Sequence, residues 1–172
     1  MLHRTLLPVV ALFLALGAPV SAAEPAKGTA LAREGVAFEH PADWKATVQE
    51  SEGGPIILLE EPGDAIATVA IFKEGVNVSL DEYAANYIDN IISELPRNVT
   101  VKRTGQSVRA GVMDVKFVLT FQGSDLPTTT NVSRHDIAGR TVFCVTQVAD
   151  EDRKKVQPGF DLIRRTLGAA KK

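Results

Sequence analysis

The sharpest chance of covalent chemistry lies in Cys144 and His135, which flank an Ile137-Ala138-Gly139 turn near the C-terminus. A thiolate nucleophile needs a base within hydrogen-bond reach, and hairpin register decides whether these two side chains meet. A two-residue turn at Ala138-Gly139 pairs Ile137 with Arg140 and sets Val142 opposite His135. Cys144 is then a diagonal neighbour on the same face, with Cβ atoms about 7–8 Å apart. A three-residue loop with Gly139 in the left-handed conformation shifts the pairing by one and turns the two residues to opposite faces. Glycine in the third position favours the three-residue type. The expectation is therefore no dyad and a core thiol between Phe143 and Val145, as free cysteine is among the most buried residue types. No catalytic residue is assigned.

Other groups with the right chemistry have simpler readings. Glu50, Glu52, Glu60, Glu61 and Asp64 could gather where two turns meet, and Ca²⁺ or Mn²⁺ accepts such oxygen ligands. Their spacing matches no loop motif, so no metal or cofactor is expected. His40 reads as a turn residue with no second histidine nearby to complete a zinc site. The Asn-Val-Ser/Thr sequons at Asn77, Asn98 and Asn131 read as turns or strand starts, which asparagine favours for backbone reasons. Arg153-Lys154-Lys155 and Arg164-Arg165 read as the solvated side of a closing helix, and Lys171-Lys172 ends the chain. Glycine-rich phosphate loops, Gly-x-Ser-x-Gly and His-Glu-x-x-His are missing.

The elements that must position these groups follow from periodicity and punctuation. Val36 to Glu39 is a first strand, and His40-Pro41-Ala42-Asp43 turns the chain because Pro41 fixes φ and moves His40 out of the helical region. Trp44 to Glu50 and Ile56 to Leu59 follow as strands around Gly53-Gly54-Pro55. Ala65 to Phe72 is apolar on both faces, as a central strand is. Ser79-Leu80-Asp81-Glu82 matches a capping box. After it Leu80, Tyr83, Ala84, Tyr87, Ile88, Ile91, Ile92 and Leu95 share one helical face, and Pro96 ends the run. Val99 to Arg103 and Gln106 to Arg109 form an expected pair around Thr104-Gly105. Val115, Phe117, Leu119 and Phe121 alternate with less apolar neighbours as in a half-buried strand. Thr128 to Asp136 is polar on both faces, which places it near an edge, and Thr141 to Val148 returns. The last helix begins near Asp150, breaks at Pro158 and resumes to Leu167. Strands, one long helix, hairpins and a closing helix make an α+β domain with an antiparallel sheet flanked by helices.

Composition and address bound the function. The chain has 172 residues, 45% hydrophobic and 23% charged, and its net charge of −2 argues against a nucleic-acid binder. One cysteine excludes an intramolecular disulfide. Residues 1–23 read as a signal peptide: a positive start, an apolar run from Leu6 to Leu16, helix breakers at Gly17 and Pro19, and small residues at Ser21 and Ala23. That apolar run is short of the ~20 residues of a spanning helix, and no cysteine follows the cut for a lipid anchor. A periplasmic or secreted address is expected, with no transmembrane anchor after cleavage. Residues 24–34 read as a flexible tether, 35–168 as one domain and 169–172 as a frayed tail. About 150 residues bury some 70% of the unfolded surface, enough for a core without disulfides.

The opening Gly35-Val36-Ala37-Phe38-Glu39-His40-Pro41-Ala42-Asp43-Trp44 resembles the aromatic-x-x-Pro-x-x-Trp start of the PsbP/DcrB-like family. The strands from Ile56 to Phe72, the helix from Ser79 and the closing Phe160-Asp161-Leu162-Ile163 support the likeness. The resemblance implies a PsbP-like α/β/α sandwich and a role in binding or assembly with no shared catalytic site. The expected function is an exported, non-catalytic factor acting on another envelope protein, with Thr128 to Asp136 and Gly123-Ser124-Asp125-Leu126-Pro127 as contact surfaces. A carrier of a small ligand or metal ion, held between helix and sheet, is the alternative. A thiol-dependent enzyme is the third.

Overall fold

The computed structural model describes residues 28–171, and the expected signal peptide lies outside them. The chain order is β1 (Gly28–Arg33), β2 (Val36–Pro41), β3 (Lys45–Gln49), β4 (Ile56–Glu60), β5 (Ile66–Ile71), α1 (Leu80–Glu94), β6 (Val99–Arg109), β7 (Val112–Phe121), β8 (Ser124–Ile137), β9 (Arg140–Ala149), α2 (Arg153–Thr166) and β10 (Gly168–Ala169). Seven strands form one sheet in the order β3-β4-β5-β9-β8-β7-β6, and β1-β2-β10 form a small second sheet. All pairs are antiparallel. The expected α+β class and the sheet between helices are what the structure has.

Two cores lie on opposite faces of the large sheet. On one face Ile57, Leu59, Val69, Val142 and Cys144 pack against Phe160 and Ile163 of α2 and Val36 and Phe38 of β2. On the other face Ala70, Val115, Val132, Phe143 and Val145 meet Ala84 and Ile88 of α1. Tyr83 stacks on Phe143 with ring centroids 3.9 Å apart and planes within 4°. Ser79 caps α1, its hydroxyl accepting from the Glu82 N–H at 3.2 Å.

The Pro41-x-x-Trp44 segment acts by packing. The Trp44 N–H closes a turn on the Pro41 carbonyl at 3.1 Å, and the Trp44 ring meets Phe160 edge-on at 5.5 Å. Gly159 of α2 sits against both, and a Cβ there would come within 2.6 Å of the Trp44 ring and 3.0 Å of Pro41. The missing side chain lets the helix approach the turn.

Several expectations are corrected. Gly28–Arg33 of the expected tether is β1, paired with β2. Of the expected frayed tail, Ala169 pairs with Val36 and the Ala170 N–H bonds the Gly35 carbonyl at 2.8 Å. His40 and Pro41 close β2 and the turn follows them. Thr104-Gly105 is a bulge inside one long strand β6, and the reversal comes at Ala110-Gly111. Helix α2 runs unbroken through Pro158. Pro158 and Lys154, whose carbonyl loses its partner, are both exposed, so water can take that bond.

Hairpin geometry accounts for one further correction. Arg33/Val36, Arg109/Val112, Phe121/Ser124 and Ile137/Arg140 each close a two-residue turn. The turn residues Glu34-Gly35, Ala110-Gly111, Gln122-Gly123 and Ala138-Gly139 all have positive φ, as type I′ requires. The three-residue loop expected at Gly139 is therefore wrong. Ala138 takes φ 51° at a local cost of roughly 1–2 kcal/mol, outweighed by the register it sets.

Gly159→Ala tests the docking of α2. Alanine gains about 1 kcal/mol of helix propensity over glycine, whereas the clash with Trp44 and Pro41 costs about 1–3 kcal/mol. Thermal unfolding should shift downward, and a raised Tm would show that the contact has slack.

Candidate functional site

The Ala138-Gly139 turn pairs His135 with Val142 and Ser133 with Cys144, so His135 and Cys144 share the face the sequence reading denied them. They still do not form a dyad. His135 Nε2 lies 2.9 Å from Ser133 Oγ, and Ser133 Oγ donates to the Cys144 carbonyl at 3.2 Å. Cys144 is 1% exposed, and burial pushes its thiol up to about 11 although the Arg164 charge and hydrogen bond pull the other way. A thiol so held is protonated at neutral pH and out of reach of substrate. The Ser133–His135 pair was not foreseen. Burial, then the Arg164 charge, holds His135 below its usual range, with Asp136 opposing. Ser133 is buried, so this pair too lacks access.

Thr128 to Asp136 is not an edge. It lies in β8, between β9 and β7, and Thr128 through Ser133 are buried. Asn131, read as a turn sequon, sits mid-strand. Its side-chain oxygen accepts from Arg153 Nη1 at 2.9 Å, Arg164 Nη2 at 3.3 Å and Thr146 Oγ1 at 3.3 Å, and its amide donates to Asp114. Arg153 Nη2 also donates to the Thr129 carbonyl at 2.9 Å, and Arg164 Nη2 to Thr146 Oγ1 at 2.7 Å. The two arginines thus turn inward instead of forming the expected solvated side. Sequence carries the signal: 153, 156, 160, 164 and 167 recur at three- and four-residue steps, one helical stripe. Lys154 and Arg165 are exposed, and Lys155 pairs with Glu61 at 3.3 Å. On the other face Arg134 bonds both Asp136 oxygens at 2.9 and 2.8 Å, the Val78 carbonyl at 3.0 Å and Asn77 Oδ1 at 3.0 Å. It ties the approach to α1 to β8.

The carboxylates do not gather. Lys45 opposes Glu60 and Gln49 opposes Ile56, so Glu60, Glu61 and Asp64 lie at one end of that hairpin and Glu50 and Glu52 at the other, about 15 Å apart. Glu60 pairs with Lys45 at 3.2 Å. No three His, Cys, Asp or Glu side chains converge as a metal site among the described residues. His40 is buried, with Nδ1 2.9 Å from the Pro41 carbonyl. Gly123 lies in a turn and Ser124 to Pro127 already belong to β8.

Open space occurs under the C-terminal half of α1. Only Ala84 and Ile88 of that helix are buried, and beyond Ile88 it stands off the sheet. Ile88, Ile91, Ile92 and Leu95 wall one side of a cleft of about 70 Å³. Val101, Phe117 and Leu119 wall the other, over a floor of Thr128, Thr130 and Gln147. Thr130 donates to Gln147 at 3.3 Å and Thr128 to the Leu126 carbonyl at 3.3 Å, which leaves the floor's hydroxyls satisfied. Ile92 is 40% exposed on the rim. At roughly 10–15 Å³ of such space per water, the cleft holds about five waters, near the volume of one large apolar side chain.

No family model matches the chain, and no curated protein sequence matches it. Among solved structures, cyanobacterial PsbP (CyanoP) from Synechocystis sp. PCC 6803 is similar, with a TM-score of 0.52 at 12% identity over 90% of this chain and 99% of that one. The chain has a PsbP-like fold. A protein from Bacteroides thetaiotaomicron matches with a TM-score of 0.45 at 16% identity over 87% of this chain and 50% of that one. LpqN of Mycobacterium tuberculosis, described as involved in cell envelope biogenesis, matches with a TM-score of 0.38 at 12% identity over 90% of both chains. No catalytic family is identified for this PsbP-like chain. Among its described residues no helix is long and apolar enough to cross a membrane.

Two outcomes follow from the buried thiol and imidazole. Alkylating reagents should label Cys144 only as fast as the protein unfolds, and rapid stoichiometric labelling of the native protein would refute its burial. For His135 the folded pKa lies below the unfolded value near 6.5, so the unfolded state takes up the proton first. Stability should fall as pH drops from about 7 toward 5, and His135→Gln should flatten that slope in urea titrations. Asp64, raised mainly by burial and then by Asp152 and Glu61, acts in the opposite sense nearer pH 4. An unchanged slope in His135→Gln would assign the pH dependence elsewhere.

Proposed function

We propose that this PsbP-like protein is an exported, non-catalytic accessory protein that binds another envelope protein through the cleft under α1. The cleft carries this reading. It is apolar, lies beside the partly exposed Ile92 and has room for about one large side chain. Binding sites for small molecules span roughly 300–1,000 Å³, well above five waters' worth, which disfavours a carrier of a small organic ligand. A single anchor residue entering a desolvated pocket is how protein interfaces concentrate their binding energy. Export rests on residues 1–23 as read from the sequence. The accessory role agrees with the fold shared with CyanoP.

A photo-crosslinking amino acid placed at position 92 in the native envelope tests the reading, with one at the exposed Glu52 as control. Position 92 should capture one dominant protein that position 52 does not, and Val101→Glu, which puts a charge into the cleft wall, should abolish the capture. Equal capture at both positions would sink the proposal. A small molecule found bound by native mass spectrometry, without a captured protein, would transfer the cleft to the carrier reading.

A further inference from the structure

Among the described residues, strand β6 ends the large sheet, paired with β7 alone. Its eleven residues, VTVKRTGQSVR, run for roughly 35 Å, and one side of its backbone has no strand partner among the described residues. Val101 of this strand is also a wall of the cleft. The edge and the cleft are therefore one continuous surface.

The charge on the edge strand itself has a single sign. Lys102, Arg103 and Arg109 are exposed, the strand contains no acidic residue, and none of the three forms an ion pair among the described residues. Arg97 just before the strand is exposed as well. Register distributes the cations over both faces. Arg103 pairs with Phe117, on the cleft side with Val101 and Leu119, whereas Lys102 pairs with Val118 and Arg109 with Val112, on the opposite side. Asp114, beside Ser107, and Glu94, at the cleft, are the acidic groups nearby. Edge cations commonly protect a sheet from unwanted pairing, and here they would repel a second copy of the same strand. They leave the edge open to a segment of opposite charge.

We infer that the partner engages β6 as an added strand: an extended, acidic segment whose carboxylates meet Lys102 and Arg109 on one face while an apolar side chain on the other face enters the cleft beside Val101. This rests on the binding reading above and adds the partner's chemistry to it. Main-chain hydrogen bonds to a free edge give affinity, and the flanking side chains give selectivity.

The probe is a short alternating glutamate–valine peptide, with a lysine–valine peptide as control, added to the intact protein. The acidic peptide should bind, weaken as salt is raised, and slow hydrogen exchange at the outward amides of β6. The exposed double variant Lys102→Glu/Arg109→Glu should weaken it about tenfold. Equal binding of the lysine peptide, unchanged affinity in the variant, or binding without protection of β6 would each overturn strand addition. So would dimerisation of the protein alone in sedimentation, which would give the edge to a second copy. Position 92 still capturing its protein in the native envelope while the peptide fails would remove the strand and leave the cleft reading standing.

Discussion

The pairing of Ile66–Ile71 with Val142–Gln147 is the join on which the rest of the molecule depends. It brings together the β3-β4-β5 hairpins and the β6-to-β9 meander, which are remote in sequence and otherwise local in their contacts. Both strands are buried on both faces, so register is pinned from two sides. A slip by one residue would exchange the residues facing α2, such as Val69 and Cys144, for those facing α1, such as Ala70 and Phe143. Each helix has a floor only because this register holds. Cys144 belongs to this join, which explains why its thiol is inert.

A sheet of this width creates a covering problem. Seven strands at about 4.8 Å spacing extend nearly 30 Å, whereas one helix is about 10–12 Å across. On one face α2 and the small sheet cover the first strands and β9, and their apolar cover stops near β8. There the strand turns polar, and Asn131, Thr129 and Thr146 are satisfied by arginines reaching in from α2 and by Asp114 and Asp150. On the other face α1 covers the centre and leaves its last turn standing off β6 and β7. One face closes the gap with hydrogen bonds, and the other keeps it as space.

Much of this frame was legible in the sequence. The apolar run Ala65 to Phe72 announced a central strand, Ser79 and the spacing from Leu80 to Leu95 announced α1, and the Pro41-x-x-Trp44 opening pointed to the fold. Beta-strand 8 was not legible because polarity on both faces is the usual mark of an edge. Its burial depends on side chains 22 and 33 residues further on, which no local pattern contains. The Ala138 turn was missed because alanine pays for a positive φ that asparagine or glycine takes more easily, and the register forces it. Gly28–Arg33 was small and polar enough to read as a tether, since a two-residue hairpin onto β2 gives it order with only Leu31 packed against the core. The cleft depends on where α1 ends relative to β6, a tertiary distance beyond any sequence period.

The two unfinished regions of the sheet differ in what they leave for a partner. Around Asn131 one amide oxygen already takes three donors, more than its two lone pairs serve well. Arg164 Nε, the one buried side-chain polar atom without a hydrogen bond among the described residues, is sealed from solvent. That cluster fastens α2 to a polar strand. Under α1 the floor's hydroxyls are bonded, the walls are apolar, and what is missing is volume. Beside it the β6 backbone lacks a strand on one side among the described residues. A polar cluster bonded within the chain joins two elements of the fold. Among the described residues the apolar space under α1 and the free side of β6 adjoin each other and are left unfilled.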